Sequence, residues 1–221
     1  MTRWFYLAAA VTTLAFAASL YAYFGMYDQL PERIPIHWGI DGNPDKWVDK
    51  DHAWINFWLV PGMMTAFLAL TLVLPWLSPK SFEVDRFRDT YGYVMALVNC
   101  LFAYIHAVIL WSSFHPESMN IKWFITGIMV FFALMGNVMG QVRRNFWMGI
   151  RTPWTLANEN VWNQTHRLAG WLWFIFGLAG AVAALAGVPP LWCFVGVMVA
   201  VLFPVVYSLV LYKHLEKQGR L

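Results

Sequence analysis

Hydrophobic positions along this 221-residue chain fall into six long runs, at 4–26, 54–77, 91–114, 122–139, 168–188 and 190–212. Each approaches or exceeds the ~20 residues that carry an α-helix across a hydrocarbon core. No water is present there to satisfy backbone groups, so a helix is the expected form of every run. The short connection GVPP makes the last two helices antiparallel neighbours. Polar residues concentrate in two stretches, one between the first two runs and one from 141 to 167. The pattern predicts an all-α integral membrane protein: six transmembrane helices, a long outer loop and an interfacial cytoplasmic segment. The expected division is 1–78, with the first two spans and the outer loop, and 79–221, with the other four.

Composition strengthens this picture. Only 12% of residues are charged, about half the share usual in soluble domains. The first run follows MTR and resembles a signal peptide, but it is too long, and AYFGMYDQL offers no small-residue cleavage site, so it is read as a retained span. Basic residues are asymmetric. With the N-terminus inside, Arg3, Lys80, Arg86, Arg88, Arg143, Arg144, Arg151, Arg167, Lys213, Lys217 and Arg220 fall on one side, and Arg33, Lys46, Lys50 and Lys122 on the other. Eleven against four predicts a multi-pass protein of the cell membrane with both termini cytoplasmic. The net charge of +3 is therefore an orientation signal and does not point to nucleic acid. Cys100 and Cys193 lie inside apolar runs without zinc-type spacing.

The outer loop, LPERIPIHWGIDGNPDKWVDKDH, carries acids, bases and two histidines. Pro31 and Pro35 oppose a helix interior. Ile34, Ile36 and Trp38 alternate, which predicts an extended piece with one apolar face. DGNP signals a turn: Gly42 permits positive φ, and Asp41 or Asn43 can bond nearby backbone. Trp38 and Trp47 suit the membrane interface. His37, Asp41, Asp45, Asp49 and His52 include metal-ligating residue types, but EF-hand and HExxH spacings are absent. The choice is between a solvated, turn-stabilising surface and a recognition surface built on His37, Trp38, Asp41, Gly42 and Asn43.

The inner stretch, QVRRNFWMGIRTPWTLANENVWNQTHR, is rich in arginine and aromatic residues. Arg143 and Arg144 are placed to cap the fourth span or reach lipid phosphates, and Gly149 permits a tight bend. Thr155 is expected to cap a short amphipathic helix with Asn158 at its third position, Trp154, Ala157 and Val161 on one face, and Trp162 near the same edge. His166 and Arg167 then open the fifth span, where the positive helix end disfavours cations. Arg151, Glu159, His166 and Arg167, anchored by Trp154 and Trp162, make a candidate anion- or partner-binding surface; the plain alternative is an orientation signal with Arg151 paired to Glu159.

Inside the spans, Asn99 and His106 share a helix face, and Asn56, Asn137 and Gln141 lie within or at the edges of apolar runs. Interhelical bonding is their expected role. No acid lies deep in a span, which counts against proton-coupled transport. Gly136 and Gly140 form a small-xxx-small pair, expected to pack span four closely on a neighbour.

HWGIDGNPDKW, preceded by LPERIP, resembles the signature of the DUF1648 membrane domain, and NFWMGIRTPWTLANENVWNQTHRLAGWLW resembles the hallmark of the SdpI family. The resemblance implies a DUF1648-like first part and an SdpI-like four-span second part. It also implies a non-enzymatic immunity or signalling role: protection against a secreted antimicrobial peptide and retention of a transcriptional repressor at the membrane. The expected partners are membrane lipids, an extracytoplasmic toxin peptide and a cytoplasmic repressor, with no cofactor. The alternative function is a membrane enzyme or carrier handling lipid-linked phosphate, but no acid–base pair with a nucleophile or metal cluster supports it.

Overall fold

The computed structural model describes residues 2–116 and 120–221. Helix α1 (Arg3–Leu20) continues as a wider turn to Gly25. A hairpin of β1 (Arg33–Trp38) and β2 (Pro44–Asp49) leads to α2 (Trp54–Leu77). Then come α3 (Arg88–Phe114), α4 (Ile121–Met139), the single turn α5 (Pro153–Ala157), α6 (Glu159–Leu185) and α7 (Pro190–Lys217). Six of these helices are long and apolar enough to cross a membrane. Large apolar side chains face outward along them, including Leu14, Trp76, Trp171, Phe203 and Val206. Such a surface suits lipid and not water, as expected of a multi-pass membrane protein.

Small residues decide the tightest packing. The α4–α6 interface is the most extensive between any two elements. At Gly136, an added Cβ would overlap the Phe174 backbone N and lie 2.7 Å from Gly170 O; at Gly177 it would lie 2.5 Å from Ala133 N. The two antiparallel backbones approach this closely because no side chains intervene, which is how helices gain dispersion contact in lipid. The expectation for Gly136 therefore holds. Gly140 is looser, with the Arg167 Cα 3.7 Å from a Cβ placed there.

Helices α1 and α3 run parallel and are joined by polar pairs. Thr12 Oγ1 donates to Asn99 Oδ1 at 3.4 Å, and Ser19 Oγ lies 2.8 Å from His106 Nε2. Ser19 also donates to Phe57 O at 2.7 Å, so its oxygen accepts from the histidine. Asn56 Nδ2 bridges Pro35 O and Ser113 Oγ at 3.0 and 3.1 Å. Asn99, His106 and Asn56 thus bond between elements, as their positions predicted.

The basic end of the bundle brings together the N-terminus, the α2–α3 connection, the α4–α6 segment and the end of α7. Trp4 Nε1 donates to Asp89, Trp147 Nε1 to Ser78 Oγ, and the Thr152 and Ser208 hydroxyls are 3.1 Å apart. The hairpin occupies the opposite end.

Candidate recognition site

The hairpin is anchored at its base and exposed at its tip. Ile34 is wholly buried with Leu30, Ala53 and Phe57 against the helix ends. Tyr27 donates to Asp51 at 2.9 Å, a bond that raises the phenol above its ordinary range. The strands pair antiparallel, with register shifts around His37. Those shifts break the predicted alternation: Ile34 and Pro35 are buried while Ile36 is exposed, so Ile34, Ile36 and Trp38 do not share one apolar face.

At the tip, Gly39 N–H donates to Asn43 O and Gly42 N–H to Gly39 O. Asp41 accepts from the side-chain amide and backbone N–H of Asn43 at 2.6 and 3.1 Å. The amide bond, with help from the backbone bond, holds the Asp41 carboxyl below its usual range. Gly42 has φ +83°, as the DGNP signal predicted, and its Cα faces Ile121 at the start of α4. His37 Nδ1 lies 2.6 Å from Asp45 Oδ1 with both side chains about half exposed. Trp38 is half-buried; its indole N–H is shielded from solvent and has no partner. Five candidate residues therefore lie together at the hairpin tip: His37 and Trp38 at the end of β1, and Asp41, Gly42 and Asn43 in the turn. Among the described residues, no three metal-ligating side chains converge. Exposed Ile36, Ile40 and Trp47 give this face apolar character alongside its acids.

The basic end is built differently from the sequence expectation. Thr152 caps α5, receiving the Thr155 N–H, and Thr155 supplies the reciprocal bond. Asn158 is not inside that helix but caps α6, accepting from Asn160 and Val161 N–H. Helix α6 thus begins at Glu159, nine residues before the expected start at 168. His166 and Arg167 are two turns inside it, beyond the reach of the terminal dipole. The predicted electrostatic mismatch disappears. Glu159, in the first turn, is favourably placed instead.

His166 is fully buried. Its ring stacks on Trp162 at 4.0 Å, Nδ1 lies 2.8 Å from Trp162 O, and Nε2 accepts from Ile150 N–H at 2.9 Å. One nitrogen must donate and the other accept, so the neutral Nδ1–H tautomer is selected. Trp162 is fully buried as well, donating to Val142 O at 2.8 Å, and does not sit at an interfacial edge. Arg151 donates to Phe146 O, not to Glu159. Trp154 is half-buried and Arg167 exposed. The structure does not join Arg151, Glu159, His166 and Arg167 into one surface. It gathers Arg143, Arg144 and Glu159 with Arg86 around a small polar cleft.

Asn145 was not among the sequence candidates, yet it organises this segment. Buried, it donates to the carbonyls of Arg143 and Met148 and accepts from the N–H of Trp147 and Met148. Only the polar amide beside two arginines hinted at such a turn.

Comparison with known proteins matches residues 141–208 to the SdpI/YfhL protein family and residues 13–65 to a domain of unknown function, DUF1648. The basic-end segment and the hairpin fall within these respective matches. No solved structure matches. The chain is 28% identical over 164 residues, 71% of its length and 72% of the relative's, to the immunity protein SdpI of Bacillus subtilis (strain 168). A distant likeness to an immunity protein thus accompanies both motif matches.

Proposed function

We propose that this chain is a non-enzymatic membrane immunity protein whose hairpin meets a secreted antimicrobial peptide outside the cell. The observation that carries this reading is the hairpin's construction: a buried base, an ordered turn and an exposed tip mixing acids with apolar side chains. Acids at 28, 32, 41, 45, 49 and 51 outnumber Arg33, Lys46 and Lys50 by three. Such a face suits a peptide with basic and apolar side chains. Strand β2 is mostly exposed, so its free edge can accept an extended segment by backbone pairing. The likeness to the immunity protein SdpI supports the same reading.

In this reading both termini are cytoplasmic, and the exposed Arg151 and Arg167 act as separate contacts for an acidic face of a repressor. The test is survival of peptide-sensitive cells expressing the protein. Unmodified protein is expected to protect, and His37→Ala/Asp45→Ala to protect poorly at equal membrane abundance. Equal protection by the double variant removes the hairpin tip from the function; no protection by the unmodified protein against secreted peptides rejects immunity itself.

A further inference from the structure

We propose that Arg86, Arg143 and Arg144 form a binding site for a phosphate group at the basic end of the bundle. Their side chains and Glu159 line a cleft of about 130 Å³. This is below the ~300–1,000 Å³ of pockets that enclose drug-sized ligands, so the cleft suits a small anion or one headgroup phosphate.

Three other basic residues at this end already have partners. Arg88 pairs with Asp85 at 2.7 Å, Arg3 approaches Asp89 at 3.8 Å, and Lys213 pairs with Glu216. Among the described residues, the side chains of Arg86 and Arg143 have neither an ion pair nor a hydrogen bond. Arg144 is fixed instead: it donates to Leu156 O at 3.0 Å and lies over the Phe82 ring at 5.4 Å. Phe82 packs edge-on against Phe146 at 4.5 Å, while Trp147 ties the same loop to Ser78. One guanidinium is thus pre-positioned and two are available.

Among the described residues, Glu159 is the one carboxylate lining the cleft. It makes no ion pair with these arginines, and its place in the first turn of α6 lets the positive helix end stabilise it. Three guanidinium groups against one carboxylate leave an excess of two positive charges. Their planar forks match phosphate oxygens in paired hydrogen bonds. The cleft lies where α3, α4 and α6 begin or end, and the ends of membrane-spanning helices are where headgroups are met. Inorganic phosphate and an anionic phospholipid provide the same chemistry.

The test uses purified full-length protein in two arms. In the first, thermal unfolding in detergent is followed with inorganic phosphate against chloride at equal ionic strength. In the second, native mass spectrometry measures retention of phosphatidylglycerol against a phosphate-free galactolipid. Arg86→Gln/Arg143→Gln should weaken the response on the order of tenfold or more, because charge-assisted contacts are removed. Folding should survive, since neither side chain bonds to the protein. Glu159→Gln should strengthen the response. A phosphate effect alone supports free phosphate; lipid retention alone supports a headgroup; both support either source. No response in either arm, or an arginine double variant that responds like the unmodified protein, overturns the proposal.

Discussion

The backbone N–H of Ile150 donates to Nε2 of His166 at 2.9 Å and fastens the α4–α6 segment to the side of α6. Gly149, the preceding residue, has φ +101°, and a Cβ there would overlap the same imidazole nitrogen. Gly149→Ala should therefore cost about 2–4 kcal/mol, combining backbone strain with overpacking. Unfolding in detergent measures it, and unchanged stability contradicts the bend described. His166→Ala should cost about 1–3 kcal/mol by leaving the Ile150 N–H buried without an acceptor.

Close packing of α4 on α6 predicts a contrast between two glycines. Gly136→Ala presses a methyl group into the backbone of Gly170 and Phe174 and should destabilise by about 1–3 kcal/mol. Gly140→Ala, with its nearest atom 3.7 Å away, should be close to neutral. Similar losses at both positions would show that backbone approach at Gly136 is not the cause.

Much of this architecture is legible in sequence because lipid imposes length and apolarity on a span. The runs beginning at 54 and 190 match α2 and α7 at their starts. The start of α6 is hidden because its first turns, ENVWNQTHR, are polar. The buried residues there, Val161, Trp162, Thr165, His166 and Ala169, do follow helical spacing, but two are polar and compositional reading discounts them. Strand β2 is similarly obscure: PDKWVD opens with proline and buries no face. Gly42 is legible because a turn's backbone preference is local, whereas the Arg86 contribution to the cleft depends on packing between distant segments.

Gly42→Val should disturb the hairpin and leave the helices intact. It forces a β-branched residue to positive φ and drives its Cβ toward Ile121, 2.9 Å away. Limited proteolysis should cut the variant first between β1 and β2, with helical content unchanged. A protease pattern identical to that of the unmodified protein contradicts the tight turn.

Asp41 adds a pH dependence of defined sign. Its folded-state pKa lies below the ordinary value of 3.8, so its contribution is complete above that value and lost as pH falls through the lower folded one. The Asn43 amide signals in NMR should be constant from about pH 7 to pH 5 and move only below about pH 4. A midpoint near pH 6 contradicts this assignment.

The proposed orientation puts the two ends on opposite sides of the membrane. Cysteines replacing Asp45 and Glu159, with Cys100 and Cys193 removed, should differ in whole cells: an impermeant thiol reagent labels the first and spares the second. Labelling of both from outside contradicts it.

Peptide recognition by the hairpin is tested most directly by photocrosslinking in protected, living cells. A photoreactive side chain is placed at exposed Ile40 on the tip, or at exposed Phe146 on the opposite end, and the toxic peptide is added outside. The account predicts a protein–peptide adduct from Ile40 and none from Phe146. Protection with no adduct from Ile40, or with adducts from Phe146 alone, would contradict it.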